Sequence, residues 1–591
     1  MKRLYGVFWG GWCLAWAGLV GASSAVQPTR PQYSFVIEGL AGEENAALLQ
    51  NVNGYLSQVP NTVQLPPTSF RLRADMVVRE SLQALGYYRP DLTFRWENLK
   101  PNAGGTLHVQ VRPGEPVRIE DTIILIKGEG KDDKAFQRLL KRVPKKGRIL
   151  HHARYEDFKN RLIETGQKKG YFDARLVRHR LAVDAEKGIA YWWIVYDSGP
   201  RYKMSDVRFA GSQIRRPILQ NLVPFQKDSY YHVNKVTRLN RRMTETGWFQ
   251  SVVVVPQFEQ AKRDHHLPFD VTVIPRKGNT VEFGLGVSTD NGPRGKLLWK
   301  KPWWDETGKS ISADMSLSAN EQNINSTLTI PLREQALEQY WQIQGGIKSE
   351  DLNDTRSTST SLLVSRHWTL ESGWLRDVHM RMSYDDFTQA GISEQTMLWY
   401  PGITYTRTRS RGGAMPKWGD SQTYSLDWSD DILGSDVSFL LLKASATFLR
   451  QYDVKHRVIA RAQAGYLHTD QFEQVPPDLR FFAGGDRSIR GFGYKDISPK
   501  NSQGELTGGS HLWTASLEYQ YRVLPQWWAA AFVDAGDASH SWSLGEPNVG
   551  AGIGIRWASP VGPIKLDIAK PIKSFQGQKD WQFYFGIGPE L

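Results

Sequence analysis

The chain has 591 residues, too many for one ordinary domain, and 40% of them are hydrophobic. A mean hydropathy of -0.46 excludes a polytopic helical membrane protein. The net charge is +13, spread along the chain with no nucleic-acid-binding motif, so the expected counter-charges are anionic lipids or lipopolysaccharide, and no nucleic acid.

The first predicted element is an export signal. Lys2 and Arg3 precede an apolar run from Leu4 to Val20, and the small residues GASSA end at Ala25. A basic start, an apolar stretch and small residues at its end predict a secretory signal over 1–25. The single cysteine, Cys13, lies inside that run behind Trp12, which argues against a lipoprotein. The mature chain is therefore expected to form no disulfide.

Three related units come next. LGYY at 85–88, KGYF at 169–172 and TGWF at 246–249 each follow a helix-like stretch: Ala74 to Leu85, Tyr155 to Lys168 and Lys235 to Thr246. Strand-like runs such as Tyr191–Tyr196 and Phe269–Ile274 follow the turns. The connectors PGEPVRIEDTIIL at 113–125 and SGPRYKMSDVRFAG at 198–211 are also related. The pattern predicts a unit of strand, helices, glycine-aromatic turn and two strands, occurring over 26–112, 113–198 and 199–275. Gly86, Gly170 and Gly247 would end the helices at positive φ, and the aromatics behind them would pack the cores. Such small sheets leave edges on which a partner or unfolded client can add a strand.

From 276 to 591 the helical period gives way to alternation. Ile311, Ala313, Met315 and Leu317 share one face, with Ser312, Asp314 and Ser316 on the other. Trp513, Ala515, Leu517, Tyr519 and Tyr521 alternate with Thr514, Ser516, Glu518 and Gln520. No helical layer is available to cover so long a sheet. Lipid can be the cover, and backbone groups in lipid must all be paired, so the sheet must close. The expected fold is an α/β arm followed by an antiparallel transmembrane barrel of about 16 strands. The 22 tryptophans suit aromatic belts at two membrane interfaces.

Residues 480–499, RFFAGGDRSIRGFGYKDISP, lie in a connection too long to be a simple turn. Farther on, alternation in WWAAAFVDAGDA (527–538) turns Phe532 and Asp534 inward. A buried aspartate needs a cation, and Arg490 carried inward by the glycine-rich loop can supply it through a two-point guanidinium contact. Phe492 and Phe532 are expected to cover the pair. The last strand, near Trp581–Gly588, carries Gly586 and Gly588, and the first, near Thr280–Ser288, carries Gly284 and Gly286. Glycines weaken strands, so the seam between these two is expected to part and expose a template for an incoming strand.

GGDRSIRGF at 484–492, the three glycine-aromatic units and SPVGPIKLDIAKP at 559–571 resemble the BamA-like superfamily of outer-membrane assembly factors. Three units, rather than five or two, are most similar to its translocation-and-assembly-module branch. The resemblance implies POTRA domains in the periplasm, a 16-stranded insertase barrel in the outer membrane, and a TamB-like partner anchored in the inner membrane. It implies unfolded outer-membrane proteins as clients, outer-membrane lipids as surroundings, and Arg490, Gly491 and Phe492 meeting Phe532 and Asp534 inside the barrel. The ending Pro589-Glu590-Leu591 departs from the terminal aromatic of many barrel substrates. The alternatives are a transporter dedicated to one secreted partner and a passive channel. Catalysis is not expected: GxSxG, HExxH and phosphate-loop motifs are absent, and no cofactor or metal is called for. Ser510 and His511 are adjacent, so on a strand they would point to opposite faces.

Overall fold

The computed structural model describes residues 33–588, apart from 61–65, 101–103, 289–291, 414, 543–545, 560–561 and 576. The expected signal at 1–25 and the ending at 589–591 lie outside the described residues. The chain forms two compact units, one ending at Tyr202 and one starting at Lys203.

The first unit holds two α/β domains of one design. In the first, β1 (Tyr33–Glu38) is followed by α1 (Ala46–Leu56), α2 (Pro67–Ala84), β2 (Asp91–Lys100) and β3 (Gly104–Arg112). The last strand lies centrally, parallel to β1 and antiparallel to β2. Alternation puts Leu107, Val109 and Val111 on its covered face, fully buried against Phe70, Ala74, Val78 and Leu82. Those four recur along one stripe of α2, as a helix laid on a sheet requires. Burying each larger side chain contributes roughly 1.5–3 kcal/mol before entropy is set against it. The second domain repeats the order with β4 (Arg118–Lys127), α3 (Lys134–Leu140), α4 (His152–Lys169), β5 (Arg175–Asp184) and a central β6 (Ile189–Asp197). Trp192, Ile194 and Tyr196 of β6 pack with Tyr155, Phe158 and Leu162 of α4. Gly170 ends α4 at φ 93, where its N–H and that of Tyr171 bond the Gly166 carbonyl. An L side chain rarely adopts that backbone, which is why glycine precedes the aromatic.

The second unit opens with the third copy: β7 (Lys203–Ala210), α5 (Arg216–Asn221), α6 (Val233–Glu245), β8 (Phe249–Pro256) and a central β9 (His266–Pro275). It shares this compact unit with the barrel. The cause lies in two barrel turns. The Trp248 indole donates to the Gly308 carbonyl at 3.0 Å, and Asn221 donates to the Arg333 carbonyl at 2.9 Å. Arg242 pairs with Glu338, and Arg215 with Glu306.

Sixteen strands then run antiparallel in strict chain order. They are β10 (Thr280–Ser288), β11 (Gly292–Lys301), β12 (Ser310–Ser318), β13 (Glu321–Pro331), β14 (Gln339–Leu352), β15 (Thr355–Thr369), β16 (Leu375–Gln389) and β17 (Ile392–Arg411). They continue as β18 (Trp418–Ser429), β19 (Phe439–Gln451), β20 (His456–His468), β21 (His511–Leu524), β22 (Trp527–Ser539), β23 (Asn548–Ser559), β24 (Gly562–Lys573) and β25 (Gln582–Ile587). Large apolar residues such as Ile343, Val364, Val378, Leu442 and Val533 stand exposed on the outer face. Among the described residues no helix is long and apolar enough to cross a membrane. The strands do it instead, with their outer face toward lipid.

Candidate functional site

The loop between β20 and β21 folds into the barrel. Isolated backbone bridges join Phe481 to Gly509 and Ala483 to Ile497 and pin the loop to itself. Arg480 braces the fold by donating to the carbonyls of Glu473, Val475 and Thr507 at 2.7–2.9 Å. Ile489, Phe492 and Ile497 are fully buried in one apolar cluster with Leu398, Tyr400 and Leu441 of the barrel wall. Phe492 anchors the loop to the wall through this cluster, and Phe532 is the ring that stacks on the Arg490 guanidinium.

Arg490 stands at the loop's inner tip, 1% exposed, and Asp534 of β22 is fully buried. Its Nε and one terminal nitrogen donate to the two Asp534 carboxylate oxygens at 2.7 and 3.0 Å, and its backbone N–H adds a third bond at 3.0 Å. The other terminal nitrogen reaches Glu518 of β21 at 2.6 Å and Asp567 of β24 at 3.3 Å. The guanidinium carbon lies 3.4 Å from the Phe532 ring centre, a stacked cation–π contact. Three buried carboxylates around one arginine would be costly alone. Arg556 of β23 offsets them by bonding Glu518 at 2.8 Å and pairing with Asp567, and Arg461 of β20 lies 3.9 Å from Glu518. The cluster therefore holds three cations and three anions.

Glycines in the wall make room for the tip. A Cβ at Gly550 would lie 1.8 Å from the Arg490 carbonyl oxygen. Gly491 has φ +102, and a Cβ there would meet the Lys570 backbone at 2.9 Å. Tyr584 of β25 ties the motif to the last strand: its hydroxyl accepts from the Gly491 N–H at 2.9 Å and donates to the Phe492 carbonyl at 2.7 Å. Elsewhere the loop is held by Lys565 to Asp486 at 2.7 Å, Lys348 to Asp478 at 2.7 Å, and Lys495 with Glu350.

Sequence reasoning passed over Glu518, Asp567, Arg556, Arg461 and Tyr584. Alternation was the available signal, since Glu518 and Asp567 occupy inward positions of strands already recognised. Ser510 and His511 also differ from expectation. They hydrogen-bond at 2.9 Å because Ser510 precedes the strand that His511 begins.

The two seam strands end the sheet. β25 pairs with β24 over six positions, and among the described residues no ladder joins it to β10. Phe283 and Leu285 of β10 are 83% and 94% exposed, more than other large apolar residues of the wall strands. Gly284 is the middle residue of β10 and Gly286 lies in its second half, and Gly586 lies near the end of β25, with Gly588 just beyond it at φ 142. The strands are antiparallel, so the two glycine pairs sit toward opposite ends of the seam instead of facing each other.

The model for the Omp85 superfamily domain matches residues 276–590. One for POTRA domain TamA domain 1 matches 34–113, and a POTRA model described as surface antigen variable number repeat matches 202–275. The chain is similar to the outer membrane protein assembly factor BamA of Nitratidesulfovibrio vulgaris, 24% identical over 377 residues, which cover 60% of this chain and 47% of that protein. It is also similar to a SAM50-like protein of Schizosaccharomyces pombe, 27% identical over 230 residues, 34% of this chain and 46% of that one. The chain thus spans about half the length of the curated relatives it matches. A solved structure of BamA from Haemophilus ducreyi lacking POTRA domains 1–3 shares the fold, with TM-score 0.67 and 17% identity over 80% of this chain and 99% of that one.

Proposed function

Because the chain belongs to the Omp85 superfamily, we propose that it assists the insertion and folding of outer-membrane proteins, autotransporters among them, with a TamB-like partner anchored in the inner membrane. The barrel resides in the outer membrane and the N-terminal domains lie in the periplasm. The observation that carries the reading is the seam: a six-residue last strand beside a first strand to which no ladder joins it.

Unpaired N–H and C=O groups along such an edge template an incoming strand. Gly284, Gly286, Gly586 and Gly588 soften the two edges, because glycine has no side chain to pack across them. The Arg490–Gly491–Phe492 tip, pinned to Phe532, Asp534 and Tyr584, keeps β21 to β25 in place while β10 moves. Free energy for insertion comes from the client's own folding. The arm offers sheet edges to the partner and to clients.

Covalent closure tests this. Cysteine pairs scanned over 281–283 of β10 against 585–587 of β25 will form a disulfide at the facing positions in the otherwise cysteine-free mature barrel. Oxidation is expected to stop client assembly, and reduction to restore it. Full assembly with the seam locked would remove seam opening from the mechanism. A large steady conductance in planar bilayers would favour a passive channel, and co-purification of one secreted protein would favour a dedicated transporter.

A further inference from the structure

The periplasmic end of the barrel wall carries an unusual outer face. Arg366, Arg376, Arg407, Arg409, Arg411 and Arg450 lie on β15 to β19. Their register puts them on the lipid side. Arg366 is opposite Trp341 and Val378, in line with the exposed residues Ile343, Val364 and Met380, and Arg450 shares its face with exposed Leu442 and Phe448. The turns at 370–374 and 452–455 that adjoin them, and the link from β17 to β18, are at the same end as turn 332–338, which the third periplasmic domain grips. β17 and β18 are the eighth and ninth of sixteen strands, so this arc is on the wall opposite the seam.

Each arginine in the arc is laid against tryptophan. Arg366 and Arg376 stack on Trp368 at 5.1 and 4.3 Å, and Arg407 stacks on Trp374 at 4.5 Å. Arg409, Arg411 and Arg450 surround Trp418 at 5.3, 5.1 and 4.7 Å. Stacking holds a guanidinium flat and leaves its donor edge free for an oxyanion. Against six cations, Asp420 is the one carboxylate paired with any of them among the described residues. Arg366 spends one nitrogen on Gln339, and Arg450 one on the Gly419 and Leu449 carbonyls. Three covered guanidinium nitrogens, one each from Arg366, Arg376 and Arg407, have no hydrogen-bond acceptor among the described residues. Buried donors are normally satisfied, and these three find no acceptor on the described chain.

We propose that this arc is a binding site for anionic phospholipids of the periplasmic leaflet, whose phosphate diesters meet the arginine forks while the tryptophans lie along the glycerol and upper acyl region. Apolar residues border the arc on its membrane side and turns on its aqueous side, which is where a headgroup phosphate lies and a free anion gains nothing further. The assignment rests on residence in the outer membrane and not on the assembly reading.

Native mass spectrometry of the full-length protein in detergent, with dioleoylphosphatidylglycerol or dioleoylphosphatidylcholine added equally, tests it. The anionic lipid is expected to be retained about tenfold more, and the R366Q/R376Q/R407Q variant to lose most of that difference. Retention of both lipids alike, or unchanged retention by a folded triple variant, overturns the site. Displacement of the anionic lipid by equimolar inorganic phosphate would make the ligand a free anion and overturn the lipid assignment. Folding is read from heat-modifiable gel migration. Should the glutamine variant not fold, R366K/R376K/R407K keeps the charge but loses the planar fork; it is expected to retain the lipid about threefold less well, and equal retention again overturns the site.

Discussion

Tyr584 and Gly491 are joined by a hydrogen bond of 2.9 Å that links the last barrel strand to the tip of the infolded loop. The same hydroxyl donates to the Phe492 carbonyl, so one side chain satisfies two buried backbone groups. Within the loop motif's surroundings this makes β25 part of a braced wall, while among the described residues β10 on the other side of the seam has its ladder only with β11. The asymmetry predicts which edge moves.

Tyr584→Phe strands a buried N–H and a buried carbonyl, a loss of about 1–3 kcal/mol for each group left unmade. The variant is expected to remain a barrel but to expose the loop tip, so that trypsin cuts at Arg487 or Arg490 of the folded protein. Resistance equal to the parent would mean the hydroxyl does not hold the loop.

Arg490→Ala leaves Asp534, Glu518 and Asp567 short of a cation, and breaking a buried pair in this way costs about 3–5 kcal/mol. Arg490→Lys is expected to recover little, because a single ammonium cannot bond both oxygens of Asp534 and also reach Glu518. The temperature at which heat-modifiable migration is lost should fall for both, and client assembly with it. A melting point for Arg490→Lys equal to the parent's would show that charge alone suffices.

Gly308 has φ +80, and a Cβ there would lie 2.3 Å from the Trp248 ring. Gly308→Ala is therefore expected to push the third domain off its turn. Crowding of this kind typically costs about 1–3 kcal/mol. Faster hydrogen exchange in 302–309 and 246–249, with unchanged exchange in β20 to β24, is the expected signature. Unaltered protection at both segments would show that the other contacts are enough.

His108 sits at the centre of the first domain's sheet, its ring nitrogens 2.7 Å from Glu38 of β1 and 2.6 Å from Glu97 of β2. The hydrogen bonds to Glu38 and then Glu97 raise the imidazole above its ordinary value. A raised histidine stabilises fully below the unfolded value, about 6.5, and its contribution is lost as pH rises through the folded value. Amide protection of β1 in the full-length protein, corrected for intrinsic exchange, should thus fall on going to alkaline pH. His108→Gln should abolish that dependence. An identical pH profile in the variant would assign it to another group.

Much of the fold could be read from the sequence because local patterns dictate it. Ile311 to Leu317 alternate because a wall between water and lipid has two faces. Gly170 follows a helical stripe because positive φ ends the helix there. Asp534 was legible as inward-facing by counting along its strand. The packing of Phe492 with Leu398 and Leu441 was not legible, since nothing in a strand period reports what a loop residue packs against. The third domain was legible as a unit over 199–275, but its grip on the barrel was not, because Trp248 looks like any aromatic behind a glycine and only the turn at Gly308 makes it an anchor.

The sequence by itself determined a barrel, three repeated sheets, and an arginine loop seeking an inward carboxylate. Each follows from residues close in the chain, where geometry has few choices. The tertiary structure decided the rest: that Arg490 meets Glu518 and Asp567 as well as Asp534, that Tyr584 secures β25, and that six arginines form one arc. These depend on strand order and stagger, which set distances between residues far apart in the chain. No period within a single strand carries that information.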